Sequence, residues 1–210
     1  MDFKAYPVDQ QFCIVKFESF GFTEEDIMFN WLENSLMVTN PDIILPHYFF
    51  QVSSDKKYKT VYYSQSYPGL VLQIHLNRKI NYNIVQTFIP SILYVSIAYF
   101  AILVPPENAN VRAGMVMFTM FNLESLTNRV RLEVPNTSYL TYMDLWLISC
   151  LIFIFSSMVI LVTTAVLNKK GRQVLSKSIE FWVKVIYPIS FLVLSIIYWT
   201  VLLIIYFELI

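Results

Sequence analysis

Residues 112–132 read RAGMVMFTMFNLESLTNRVRL, a stretch long enough to cross a bilayer and too polar to face lipid, set between two stretches that can face it. On a 3.6-residue period, Gly114, Phe118, Phe121, Ser125, Asn128 and Leu132 advance in alternating steps of four and three, so they form one narrow stripe. Glu124 and Arg131 share one flank of it. A charge at membrane depth costs at least ~2.5 kcal/mol unless it faces protein or water, so neighbouring segments should screen this helix from lipid. Two readings stay open at this point: the lining of a pore, or a helix buried in a bundle with incidental polar residues.

Composition sets the class around that stretch. With 56% hydrophobic and only 14% charged residues, the 210-residue chain is too apolar for a soluble domain of its size and reads as a membrane protein. Apolar runs at about 84–104, 143–167 and 183–207 each suffice to cross a hydrocarbon core of ~30 Å, and the striped segment 112–132 makes a fourth span. Lys169, Lys170, Arg172 and Lys177 crowd the link between the last two spans, read as roughly a dozen residues, which places that link in the cytoplasm and both termini outside. The chain carries no net charge, so nothing points to nucleic acid.

Met1 leads straight into Asp2-Phe3-Lys4 without a basic region and apolar run, although the topology requires an exported amino terminus; the expectation is a true start further upstream. Cys13 falls on the exported side and Cys150 within the third span, so the two are not expected to pair. His47 and His75 are too isolated to suggest a metal site, and no cofactor is implied. No catalytic carboxylate pair, phosphate loop or nucleophile with a base is recognisable, so an enzyme is not expected.

Residues 1–80 read as about four strands. Leu70, Leu72, Ile74 and Leu76 alternate with Val71, Gln73, His75 and Asn77, which predicts one buried and one wet face. A second alternation runs through Cys13, Val15, Phe17 and Ser19, and turns are expected at Asn40-Pro41, at Ser53-Ser54-Asp55 and at Ser64-Gln65-Ser66. Four strands are about half of a sandwich. From residue 81 onward the chain reads as helical membrane protein.

Several local stretches are specific. MDFKAYPVDQQFC at 1–13 resembles the signature loop of the Cys-loop pentameric ligand-gated ion channels. ESFGFT at 18–23, Trp31, YPGL at 67–70, Arg78 and QTFIPS at 86–91 resemble successive landmarks of the same family. The spacing from Ile89 through Arg112 to Ser138-Tyr139 and Asp144-Leu145-Trp146 is similar to that of glycine and GABA receptor subunits, and Tyr187-Pro188 and Tyr198-Trp199 resemble the fourth helix. The resemblance covers nearly the whole chain.

The fold it implies is the C-terminal part of an extracellular β-sandwich (1–80), followed by a four-helix transmembrane domain (81–210). Five subunits, identical or mixed, would surround a pore lined by the second helix. Phe20, Tyr62 and Tyr67 would contact a small transmitter-like ligand, with Tyr63 the rival of Tyr62. By composition alone, aromatics on strands are more often core. Tyr6, Pro7, Asp9 and Arg78 would couple the signature loop to the membrane helices. Cys13 would pair with a cysteine upstream of Met1. Asn110, Gly114, Phe118, Phe121, Ser125, Asn128 and Leu132 would line the pore, Phe121 standing where the family usually has a leucine girdle. Phe118 departs from a level that is usually small and polar, and a ring of five there would obstruct conduction. Glu124 is read as a structural ion-pair member that could meet Arg131 or Asn128 of the same helix or a neighbouring subunit, with gating by a proton or metal the weaker alternative.

For selectivity, Val111 stands where cation-selective relatives carry a glutamate, and Arg112 adds a positive charge beside it, which favours anions, chloride in particular. Asn110-Val111 in place of the anion branch's Pro-Ala, together with Glu107, argues the other way. The resemblance also implies a multi-pass plasma-membrane location, with a synaptic one left open. A non-conducting accessory or truncated subunit, a cation-selective member of the family, and a four-span scaffold without a pore are the competing readings.

Overall fold

The computed structural model describes residues 2–31, 45–133 and 139–209, with side chains except at 54–57, 208 and 209. Two compact units result, Met1–Asp2 with Val8–Lys79, and Phe3–Pro7 with Ile80–Ile210. The chain therefore leaves the strand unit at residue 3 and returns to it at residue 8.

In the strand unit, β1 (Gln10–Glu18), β2 (Tyr48–Tyr62) and β3 (Gln65–Arg78) form an antiparallel sheet in the order β1-β3-β2. Tyr63 and Ser64, with φ of 46° and 71°, close the β2–β3 hairpin. Two successive positive φ values match the twist of the flanking strands, which is why a two-residue hairpin uses them even without glycine. Ser64 is thus in the turn, while Gln65 and Ser66 already belong to β3.

Three strands rather than four are present among the described residues. The turn expected at 53–55 is not there, and β2 runs through it. From Ser54 to Lys57 the strand advances three residues while its partners on β3 advance only from Leu72 to Leu70, so one extra residue bulges out. Among the described residues β2 is an edge strand, where water can satisfy outer backbone groups and polar residues are tolerated. The clean alternation expected on β3 is also absent: Val71 is buried, whereas Leu70, Leu72, Ile74 and Leu76 are only half-buried. A three-stranded sheet is too small to shelter one whole face. The turn expected at Asn40-Pro41 lies outside the described residues.

The helical unit contains α1 (Ile80–Leu103), α2 (Ala109–Glu133), α3 (Tyr142–Lys169) and α4 (Gln173–Leu209). Within α1, Ile84–Phe88 widens into a π turn, with the Ile89 N–H reaching back to the Ile84 carbonyl. Pro90 follows at once, and the wider turn relieves the clash a proline ring makes with the preceding turn. A 3-10 turn at Pro106–Asn108 leads into α2. Thr141 and Asp144 form a reciprocal capping box that starts α3, with bonds of 3.0 and 3.2 Å.

Helices α1, α3 and α4 are long and apolar enough to cross a membrane; α2, at 25 residues, is long enough but not apolar enough. The link between α3 and α4 is only Lys170, Gly171 and Arg172, not a dozen residues. Gly171 takes φ +75°, which turns the chain sharply, and α4 starts ten residues before the expected span because 173–182 joins the helix. The core is aromatic. Trp146 is fully buried, donates its indole N–H to Ser91 Oγ at 2.8 Å, and packs with Phe88 and Tyr198 at 5.6 and 4.8 Å between ring centres.

Candidate functional site

Helix α2 is divided lengthwise. Arg112, Val116, Thr119, Leu123, Leu126 and Val130 are buried and also advance by alternating fours and threes, giving one stripe packed against the unit. Asn110, Gly114, Phe118, Phe121, Ser125, Asn128 and Leu132 are all exposed on the other side. Phe118 and Phe121 are 57% and 68% exposed, so two aromatic rings one turn apart stand more than half open on that face. Glu124 and Arg131 are exposed beside them and form no ion pair with each other. Seven residues of helix separate them by about 10.5 Å along the axis, too far for direct contact in one chain.

Arg112 does not contribute a charge to the exposed face. It is 4% exposed, and its guanidinium donates to the carbonyls of Ala101 and Ile102 at 3.1 and 2.9 Å and to Glu180 Oε1 at 3.0 Å. The two carbonyls belong to the last turn of α1, where a helix lacks its own donors. One side chain thus caps α1, neutralises Glu180 of α4 and sits at the start of α2. The expectation that Arg112 enriches anions near its helix end is corrected: its charge is spent on Glu180.

Within the helical unit, the segment Phe3–Pro7 packs beside the ends of α2 and α3. Tyr6 is buried, and its hydroxyl lies 3.0 Å from Asn83 Oδ1 and 3.4 Å from Glu133 Oε2. Tyr82 donates to the other oxygen of Glu133 at 3.3 Å. Backbone bonds tie the segment to α3, from Tyr142 N–H to the Lys4 carbonyl and from Met143 N–H to the Tyr6 carbonyl, both at 3.2 Å. Tyr139 accepts the Phe3 N–H at 2.9 Å. Pro7 follows a cis bond from Tyr6 and is buried.

In the strand unit, the buried Asp9 pairs with the half-buried Arg78, whose Nε and Nη2 lie 2.6 and 3.3 Å from the two carboxylate oxygens. Gln11 Nε2 adds a third donor to Asp9 at 2.8 Å, and the guanidinium lies 4.6 Å from the centre of the Tyr48 ring. The two charges are therefore shielded rather than solvated.

Of the aromatics singled out in the sequence, Tyr62 and Tyr67 meet edge to face at 5.9 Å on facing strands. Phe20 is fully exposed and joins neither, while Tyr63 occupies the hairpin tip. Beside them lies a cluster that sequence reading missed. Tyr58 and Thr60 donate to Glu18 Oε2 at 2.7 and 3.1 Å across the middle strand, and that bond pushes the Tyr58 phenol above its ordinary range. The ring reaches across because the residue beneath it is Gly69, where an added Cβ would run into the Tyr58 ring. Glu24 pairs with Lys59 and accepts from Ser66 at 3.0 Å, and these contacts hold its carboxyl below the usual value.

Residues 1–80 match the neurotransmitter-gated ion-channel ligand binding domain. That match, together with three helices able to cross a membrane, supports a membrane protein and a ligand-gated channel subunit; the matched family is one of receptors and channels rather than enzymes. Cys13 is half-buried and Cys150 buried, both as free thiols within this chain. Glu180 stands in the sequence as the lone carboxylate between Lys177 and Lys184, just before the apolar run, which does not single out Arg112 as its partner, and Glu133, Asn83 and Tyr82 had no signal until Tyr6 met them.

Proposed function

We propose that the chain is a subunit of a pentameric, neurotransmitter-gated ion channel, assembled with copies of itself or related subunits in the plasma membrane, with four spanning helices and both termini outside. Residues 1–80 contribute to the ligand-binding domain and 81–210 form the transmembrane domain. The observation that carries this reading is the division of α2: a helix too polar for lipid buries one stripe and leaves the polar and aromatic one exposed. A second helix of that kind is what a central water-filled pathway requires. Ligand would be held by Phe20, Tyr62 and Tyr67, whose ring faces attract a cationic amine. Asp9, Arg78, Tyr6 and Pro7 would relay its arrival, since Arg78 lies two residues before α1 and Tyr6 bonds to Glu133 at the end of α2.

Chloride is the proposed permeant ion. Its support is Val111, which puts no carboxylate at that position of α2, and no longer Arg112, which Glu180 neutralises; Glu107, exposed in the turn before the helix, weighs against it. A membrane-impermeant thiol reagent applied to single-cysteine variants tests the pore. Reaction at Ser125, Asn128 and Leu132 should change the current, and reaction at Leu123, Leu126 and Val130 should not; the reverse pattern would sink the reading. A reversal potential that follows sodium and ignores chloride would reject the anion assignment. The exposed Phe118 ring favours a second reading, a subunit that assembles and suppresses conduction. Replacing Phe118→Thr should then raise single-channel conductance severalfold, and an unchanged conductance would remove Phe118 as the obstruction.

A further inference from the structure

Outside the residues assigned above, the end of α3 carries an open groove of about 550 Å³ lined by Val162, Thr163, Val166, Leu167, Lys170 and Arg172. Val162, Val166 and Lys170 are spaced by four, so the groove runs along one row of the helix from apolar walls to a cationic end. Its two cations are not needed where they stand. The final carbonyls of α3 are already bonded by backbone, Val166 to Lys170 N–H, Asn168 to Gly171 N–H and Leu167 to Arg172 N–H. Lys170 and Arg172 form no ion pair among the described residues, and Lys169 adds a third exposed charge beside them. Phe181 and Trp182, both more than half exposed ten residues along α4, suit the headgroup level of a bilayer.

We propose that this groove binds an anionic phospholipid, its phosphate between Lys170 and Arg172 and the start of an acyl chain along Val162 and Val166. The charge and the apolar walls together call for an amphiphile; a simple anion would use only the cationic end. Conduction is not required, and the inference rests only on the part of the proposed function that makes α3 and α4 membrane spans.

The test uses the full chain reconstituted in phosphatidylcholine vesicles containing phosphatidylserine, then extracted and weighed by native mass spectrometry. Phosphatidylserine should be retained in preference to phosphatidylcholine. K170Q/R172Q should lower that retention by about 25-fold, roughly fivefold per cation, while K170R/R172K keeps it. Val166→Trp, which fills the groove and leaves the charges, should also lower it. Equal retention in K170Q/R172Q would overturn the site. So would complete stripping of the lipid by inorganic phosphate, which would show an anion site indifferent to the apolar walls, or cross-linking of Val166→Cys to a second copy, which would make the groove a subunit contact. A chain that does not float with the vesicles would refute the membrane reading itself, whereas one that floats without selective retention would refute only the site.

Discussion

Arg78 in the strand unit, half-buried, and Arg112 in the helical unit, buried, are both cations held by a buried carboxylate, yet they are held differently. Asp9 faces Arg78 with both of its oxygens, and the rest of the cation's surroundings include the Tyr48 ring. Glu180 meets Arg112 with a single oxygen, and two carbonyls at the end of α1 supply the remainder. The first is a two-residue pair; the second is a three-helix junction in which the carboxylate is one acceptor among three. A buried charge is therefore not by itself a functional charge: Arg112 closes a helix end and balances Glu180, and nothing remains to project toward an ion path.

The junction should be the more costly to break. Arg112→Met removes three hydrogen bonds and leaves Glu180 buried without its cation, a loss of about 3–5 kcal/mol. Unfolding of the purified chain in detergent should show it directly, and a loss below about 1 kcal/mol would mean that the junction is looser than its distances state. In channels that still assemble, ion selectivity should not change with this substitution. A shift in reversal potential would restore Arg112 to the pathway.

Next in size is Asp9→Asn, which keeps the shape and removes the charge. Charge-assisted bonds to Arg78 and from Gln11 weaken together, for an expected cost of about 2–3 kcal/mol. If Asp9→Asn proved costlier than Arg112→Met, the ranking of the two sites would be reversed.

Glu180→Gln tests the asymmetry inside the junction. The guanidinium keeps both carbonyls and the amide oxygen still accepts, so the cost should be about 1–2 kcal/mol, well short of that of Arg112→Met. Equal costs would show that Glu180, and not the end of α1, is the essential partner.

The same contrast explains what could be read in the sequence. The stripe from Gly114 to Leu132 on α2 was legible because a helical period needs only the order of residues. The π turn before Pro90 and the bulge at 54–57 were not, since each depends on a neighbour: the preceding turn in one case, the count on β3 in the other. Ser53-Ser54-Asp55 has turn composition, and only its place on an edge strand makes it tolerable inside β2. Arg112 looked like a pathway charge because its partner lies 68 positions away. Asp9 and Arg78 were linked in advance by resemblance alone, as nothing in their spacing of 69 announces contact. The Glu18, Tyr58 and Gly69 arrangement was hidden for a similar reason, since it joins three strands at one level of the sheet.

A third pair supplies the control, because Glu24 and Lys59 form theirs in the open. Their side chains are 31% and 61% exposed, and water screens what the two buried pairs cannot avoid. Glu24→Gln should leave the unfolding midpoint at neutral pH unchanged. The pair's own small contribution should show as a decline of the parent protein in acid, which the variant lacks. Lys59, first, and Ser66 lower the folded carboxyl below the ordinary value of 4.5, so the contact contributes above that value and is lost as pH falls through the lowered one. Hydrogen exchange at the Glu24 amide, bonded to the Ser66 carbonyl at 2.8 Å, reads this locally. After correction for the intrinsic rate, protection should hold at neutral pH and decline only below the ordinary glutamate range, and Glu24→Gln should abolish the pH dependence. Protection that declined near neutrality, or that kept its pH dependence in Glu24→Gln, would assign the titration to another group. A change in global stability at neutral pH would place this pair with the buried two and dissolve the contrast between exposed and enclosed charge.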